Sequence, residues 1–216
     1  MKDYRQTLKQ AGKILIVVGA FDVAVMVWCI LAGEAYSSSL NVFAIAAGIY
    51  LVRGNLYTAL LVTRFGAFLL TGCILGLLVL FPSIEPLSLW LVELKLHTFM
   101  TLLTLVAPLL LLPVLIWVYR LLRQPEVLEA LASKGLTSKA PRLYFAMGAG
   151  LVLVLGTMLH VMFNGDGAKK AVELARAQNG SQYEYTIRQI SMSGDRGSAI
   201  VTVYKSDEIK DVSVTW

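Results

Sequence analysis

Residues 14–33 read ILIVVGAFDVAVMVWCILAG, twenty positions with a single charged side chain, Asp22. As an α-helix at about 1.5 Å per residue this stretch is roughly 30 Å long, the thickness of a bilayer's hydrocarbon core. A helix on the surface of a water-soluble protein carries an apolar stripe and a polar face. This one is apolar on every side.

Four more stretches share that character: 40–63, 66–81, 98–119 and 143–163. Across all five, the formal charges are Asp22 and Arg53. The whole chain of 216 residues is 57% hydrophobic and 15% charged, where a soluble domain carries about 25% charged residues. The pattern predicts a membrane all-α fold: a five-helix transmembrane bundle over 1–163 with a small α+β domain over 164–216. The basic residues before position 14, and Gly33-Glu34-Ala35 after the run, resemble parts of a secretory signal. The apolar run is longer than the usual 7–15 residues, however, and Asp22 interrupts it, so a retained span is expected.

Orientation follows from the basic residues. Of the 19 Lys and Arg, ten are Lys2, Arg5, Lys9, Lys13, Arg64, Arg120, Arg123, Lys134, Lys139 and Arg142. In a five-span arrangement all ten lie on one side. The short loops on the other side, 34–39 and 82–97, hold Lys95 beside Glu34, Glu85 and Glu93. Lys and Arg gather in cytoplasmic loops, so the N-terminus is expected inside and, after an odd number of spans, the C-terminus outside the cytoplasm. The net charge of +5 then reports threading, and no nucleic-acid partner is expected.

The second stretch is ambiguous. Thirteen residues, 40–52, reach only about 20 Å as helix and cannot cross alone. Extending the helix to Thr63 gives a full span but places Arg53, Gly54 and Asn55 at depth. The alternative is a short or re-entrant segment followed by an inner-face helix over 55–64, and either version brings the third span up from Arg64. Pro82 is expected to end the third span, residues 87–97 to extend the fourth outward, and Pro108 and Pro113 to bend it. Residues 125–134, with Pro125 first, Val127, Leu128 and Leu131 on one face and Gly135 as the stop, predict a short helix on the inner membrane surface. Gly72-x-x-x-Gly76, Ala44-x-x-x-Gly48 and Ala146-x-x-x-Gly150 offer close helix approach. Cys29 and Cys73 read as small apolar side chains, at depths too different to bridge.

After Phe163 the composition turns polar, with seven basic and seven acidic residues in 164–216. Asp166 is expected to cap a helix running to Gln178, with Gly180 as its stop. Residues 182–192 alternate as a strand through Tyr183, Tyr185 and Ile187, then change face at Ile190 and Met192. That change predicts a bulge near Arg188. Turn chemistry at Ser193-Gly194-Asp195-Arg196-Gly197 leads into strands at 198–204 and 209–216. One helix on a three-stranded antiparallel meander results.

Three groups of residues invite a chemical reading. Asp22 is an ionisable group inside a span, a functional candidate by default. If the second span is full length, Arg53 lies at similar depth, and the two could form an intramembrane ion pair, structural or proton-coupled. Glu93, His97, Thr101 and Thr104 share one face of the fourth helix, and His160 lies near the outer end of the fifth. Glu93, His97 and His160 could meet as metal ligands, or the two imidazoles could hold a haem iron. No HExxH, CxxC or CxxCH spacing accompanies them, and bundle hydrogen bonding explains the same polar stripe, so no metal or other cofactor is expected. No nucleophile elbow, Walker A or dinucleotide fingerprint occurs.

The sequence therefore points away from an enzyme. It points to an accessory, assembly or sensing component of the cell membrane, with the bilayer and a membrane-protein partner or a second copy as its contacts. A small transporter or channel component using Asp22 and Arg53 is the alternative, and a membrane haem or metal protein the third reading.

Overall fold

The computed structural model describes residues 3–33, 41–84, 86–96, 98–136, 141–194 and 196–216. Helices α1 (Tyr4–Ala32), α2 (Asn41–Val52) and α3 (Leu56–Leu75) come first, α3 running on through a π-helical turn, Gly76–Leu80. Short helices α4 (Phe81–Ile84) and α5 (Leu87–Leu96) precede the long α6 (Thr98–Leu122). Helices α7 (Pro125–Ser133), α8 (Arg142–Asn164) and α9 (Asp166–Asn179) follow. Strands β1 (Glu184–Ser193), β2 (Arg196–Lys205) and β3 (Glu208–Thr215) close the chain as an antiparallel sheet in the order β1-β2-β3.

Among the described residues, three helical segments, Tyr4–Ala32, Leu56–Leu80 and Arg142–Asn164, are long and apolar enough to cross a membrane. Their large apolar side chains face outward, with exposures as high as 66% at Val154 and 82% at Leu31. Apolar surface on that scale cannot remain in water, and lipid is its natural solvent. A bundle of five full spans does not appear among the described residues: α2 is 12 residues long, about 18 Å.

The physical reason lies at residues 53–55. Gly54 takes a left-handed backbone, φ +80°, which glycine adopts without steric cost. Asn55 then caps α3 by accepting the Thr58 N–H at 3.1 Å. These residues make a turn where a full second span would carry them at depth. The helix that follows starts at Leu56, close to the start of the alternative 55–64 helix, and runs without a break through the 66 expected for the third span. At its far end the wide π turn comes immediately before Pro82, where the Phe81 N–H reaches back to the Gly76 carbonyl. A proline ring clashes with the carbonyl four residues before it in α geometry. The helix thus passes through Pro82 to Ile84, beyond the stop expected there. Likewise α6 is continuous through positions 108 and 113.

The chain divides into two compact units: Met1–Leu70 with Leu110–Gly148, and Thr71–Leu109 with Ala149–Trp216. In the first, α1 and α2 pack antiparallel and very closely. A Cβ on Gly12 would lie 2.5 Å from the Gly48 carbonyl oxygen, and one on Gly48 would lie 2.7 Å from that of Gly12. The small residue at Gly48 does what its spacing promised, with Gly12 as its partner. Among the described residues, an added methyl group at Gly72, Gly76 or Gly150 would meet nothing within 4 Å. At the end of this unit, Leu8, Leu56, Leu60, Leu122, Val127 and Leu131 form one buried core. The apolar face of α7 is therefore covered by protein, with Val127 and Leu131 inside, where a membrane-surface helix would turn it to lipid.

In the second unit, α9 packs on the sheet through Ala171 and Ala175 against Ala199, Val201, Val203 and Val214. Gly165 is the residue before this helix, and Asp166 is its first helical residue rather than its cap. The register of β1 on β2 shifts between Ile187 and Gln189, so the bulge falls at Arg188. The turn at Asp195 lies outside the described residues.

Candidate functional site

Alternation along β2 puts Ala199, Val201 and Val203 on the face that α9 covers. Thr202 and Tyr204 point the other way, yet they are only 2% and 3% exposed. Helix α5 lies against β2 and β3 on that second face. The Ser88 and Tyr204 hydroxyls share a hydrogen bond of 2.9 Å, and Lys95 Nζ donates to the Ser206 carbonyl at 3.1 Å. On the same face Thr202 donates to Asp211 at 2.7 Å, and Arg188 pairs with Asp211 at 3.2 Å. The segment before α6 and the C-terminal sheet thus form one module. The sequence carried a signal for this: Ala199-Ile200-Val201 is a continuous apolar run, the mark of a strand covered on both faces.

At one end of the module, Tyr183 donates to Glu208 at 2.9 Å, while Lys205 and Lys210 stand over its ring at 5.4 and 4.9 Å. The Tyr183 hydrogen bond holds the Glu208 carboxyl below its ordinary range, with Lys205 and Lys210 adding to it. The bond to Glu208 raises the Lys205 ammonium above its ordinary value. These groups are exposed, so the cluster fixes the β2–β3 hairpin only modestly.

Among the described residues, no further strand pairs with the outer edges of β1 and β3. Beyond the bulge, residues 189–193 are Gln-Ile-Ser-Met-Ser, uncharged and exposed except for a half-buried Ile190. Strand β3 instead carries Glu208, Lys210 and Asp211. Charges and bulges are what keep an edge from pairing. The distal half of β1 and residues 212–215 of β3 lack both, and the β1 stretch is the more exposed of the two.

The residues singled out from the sequence are placed as follows. Gly12 faces Gly48 and Val52, and Gly48 faces Ile16, so Arg53 falls alongside the first three turns of α1. Asp22 lies farther up that helix by roughly 17 Å along the axis. That offset separates Asp22 from Arg53, whose backbone belongs to the turn after α2. Asp22 is not without an interaction of its own. Glu93 is half-buried on α5, and Thr101 is buried on α6. His97 lies outside the described residues, as does the side chain of Thr104. His160 Nδ1 is 3.2 Å from the Asn164 amide one turn on, and the same amide donates to the His160 carbonyl at 3.0 Å. Among the described residues, no three His, Cys, Asp or Glu side chains gather as metal ligands. No protein-family model, curated protein or solved structure matches the chain.

Proposed function

We propose that this is a multi-pass membrane protein with a cytoplasmic N-terminus, and that its C-terminal module, outside the cytoplasm, engages a partner protein by accepting a strand. Full-length α6, 25 residues, makes one further crossing. The chain between α1 and α3, with α2 ending beside the start of α1, makes the fifth passage, so the two termini lie on opposite sides. The docking of α5 on the sheet supports the threading, because it requires residues 87–96 and the C-terminal module to share one side. The basic residues argue for the opposite side at the N-terminus.

The observation that carries the functional reading is the uncharged, unblocked half-edge at residues 189–193. An exposed edge offers a row of backbone donors and acceptors, and strand addition is a common way to use it. Helix α9 packs on all three strands, β1 included, and α5 lies against β2 and β3. The role that follows is accessory, assembly or sensing, with the bundle as anchor.

Ser191→Lys places a charge on this edge at an exposed position opposite Ser198. Affinity purification in mild detergent, followed by mass spectrometry, should recover a protein with the wild type that the variant loses. Recovery of the same proteins by both, from equally folded material, would contradict the proposal.

A further inference from the structure

In the first compact unit, a shallow cleft open to solvent is lined by Leu60, Thr63, Arg64, Leu122, Arg123 and Pro141, with two leucines of α7 completing it. It contains two guanidinium groups and no carboxylate; the rest of its wall is apolar apart from Thr63. Arg64 stands over the Tyr144 ring at 5.5 Å. Among the described residues no carboxylate pairs with it. Thr63 turns its hydroxyl back to the Ala59 carbonyl at 2.7 Å. The fork of Arg64 therefore keeps donors for an acceptor that the described residues do not supply.

Position along the helices matters as much as charge. Arg64 meets Tyr144 in the first turn of α8, and Gly66 approaches Tyr119 near the end of α6. Three long apolar helices thus share one level here, marked by Arg64, Arg123 and Arg142 and by two tyrosines. Tyrosines and arginines at helix ends mark the membrane–water boundary. Basic pockets between helices at that level suit anionic headgroups, with leucine walls beside the acyl chains. A guanidinium fork matches phosphate in geometry as well as charge.

We propose that this cleft binds the phosphate of an anionic membrane phospholipid, gripped by Arg64, with the positive charge of Arg123 beside it. The inference rests on the cytoplasmic-side assignment of these residues made above.

The test uses the full chain in nanodiscs of phosphatidylcholine, with or without phosphatidylglycerol. Thermal unfolding and native mass spectrometry of retained lipid are the readouts. Phosphatidylglycerol should raise the unfolding temperature of the wild type and remain bound through detergent exchange. Arg64→Gln should weaken that retention about tenfold, as expected for loss of a charge-assisted hydrogen bond, and Arg64→Lys should weaken it less. Arg123→Gln provides an independent variant if Arg64→Gln fails to fold. Equal stabilisation by both lipids, or undiminished retention in Arg64→Gln and Arg123→Gln, would overturn the proposal. So would an equal shift from inorganic phosphate in detergent, which would make this a site for a soluble anion. Release of the chain from membranes by alkaline carbonate would instead sink the membrane reading itself.

Discussion

At the scale of single residues, Gly12 and Gly48 are the most exacting positions. Each would set a methyl group against the other's backbone oxygen, and backbone cannot swing aside as a long side chain can. Gly12→Ala or Gly48→Ala should therefore destabilise the protein by about 1–3 kcal/mol, the usual cost of overpacking. Gly72→Ala and Gly76→Ala, which meet nothing within 4 Å among the described residues, should leave the unfolding temperature unchanged or raise it slightly. The sequence made Gly48 visible through its spacing from Ala44 but gave no sign of Gly12, because its helix partner is set by the antiparallel register. The same register sets Asp22 and Arg53 at different heights, since matching depths require a second helix that runs past Val52. Titration offers another test at this scale. Glu208 has a lowered pKa when folded, so its contribution is present above the ordinary carboxylate range and is lost as pH falls through the folded value. Lys205 has a raised pKa, so its contribution is complete below the ordinary ammonium range and is lost as pH rises through the folded value. Amide exchange in the β2–β3 hairpin should thus show protection that is flat near neutrality and declines at both extremes. Protection that rises on acidification would contradict this assignment.

Among the elements, those with strong local chemistry were legible. The bulge at Arg188 followed from a change of face in an alternating pattern, and α7 followed from a proline start, an apolar face and a glycine stop. What could not be read locally was the covering of each face. Whether Val127 and Leu131 meet lipid or Leu8 and Leu60 depends on distant parts of the chain. The end of α2 was legible only as one of two readings. Gly54 and Asn55 favour a turn, while continuous apolarity from 56 onward favours a helix that runs on, and local sequence does not decide between them. Helix α5 has the composition of an outward extension of the next span, whereas its Ser88 and Lys95 reach the sheet. Tyr204→Phe removes the hydroxyl that meets Ser88, and should cost about 1 kcal/mol. Hydrogen exchange should become faster in residues 87–96, with the sheet itself little altered. Unchanged protection in α5 would show that the hydroxyl pair does not hold it.

For the molecule as a whole, one energetic fact governs the account: long helices whose outward surfaces are apolar need lipid around them. Direction of threading then follows from basic residues at one end and from the α5–sheet contact at the other. Cysteine labelling in intact cells addresses this most directly. In a background of Cys29→Ser and Cys73→Ser, one variant carries Ser206→Cys in the sheet module and another carries Lys134→Cys beside α7. A membrane-impermeant maleimide should label the first in intact cells and the second only after permeabilisation. The reverse pattern, or equal labelling of both before permeabilisation, would contradict the proposed topology.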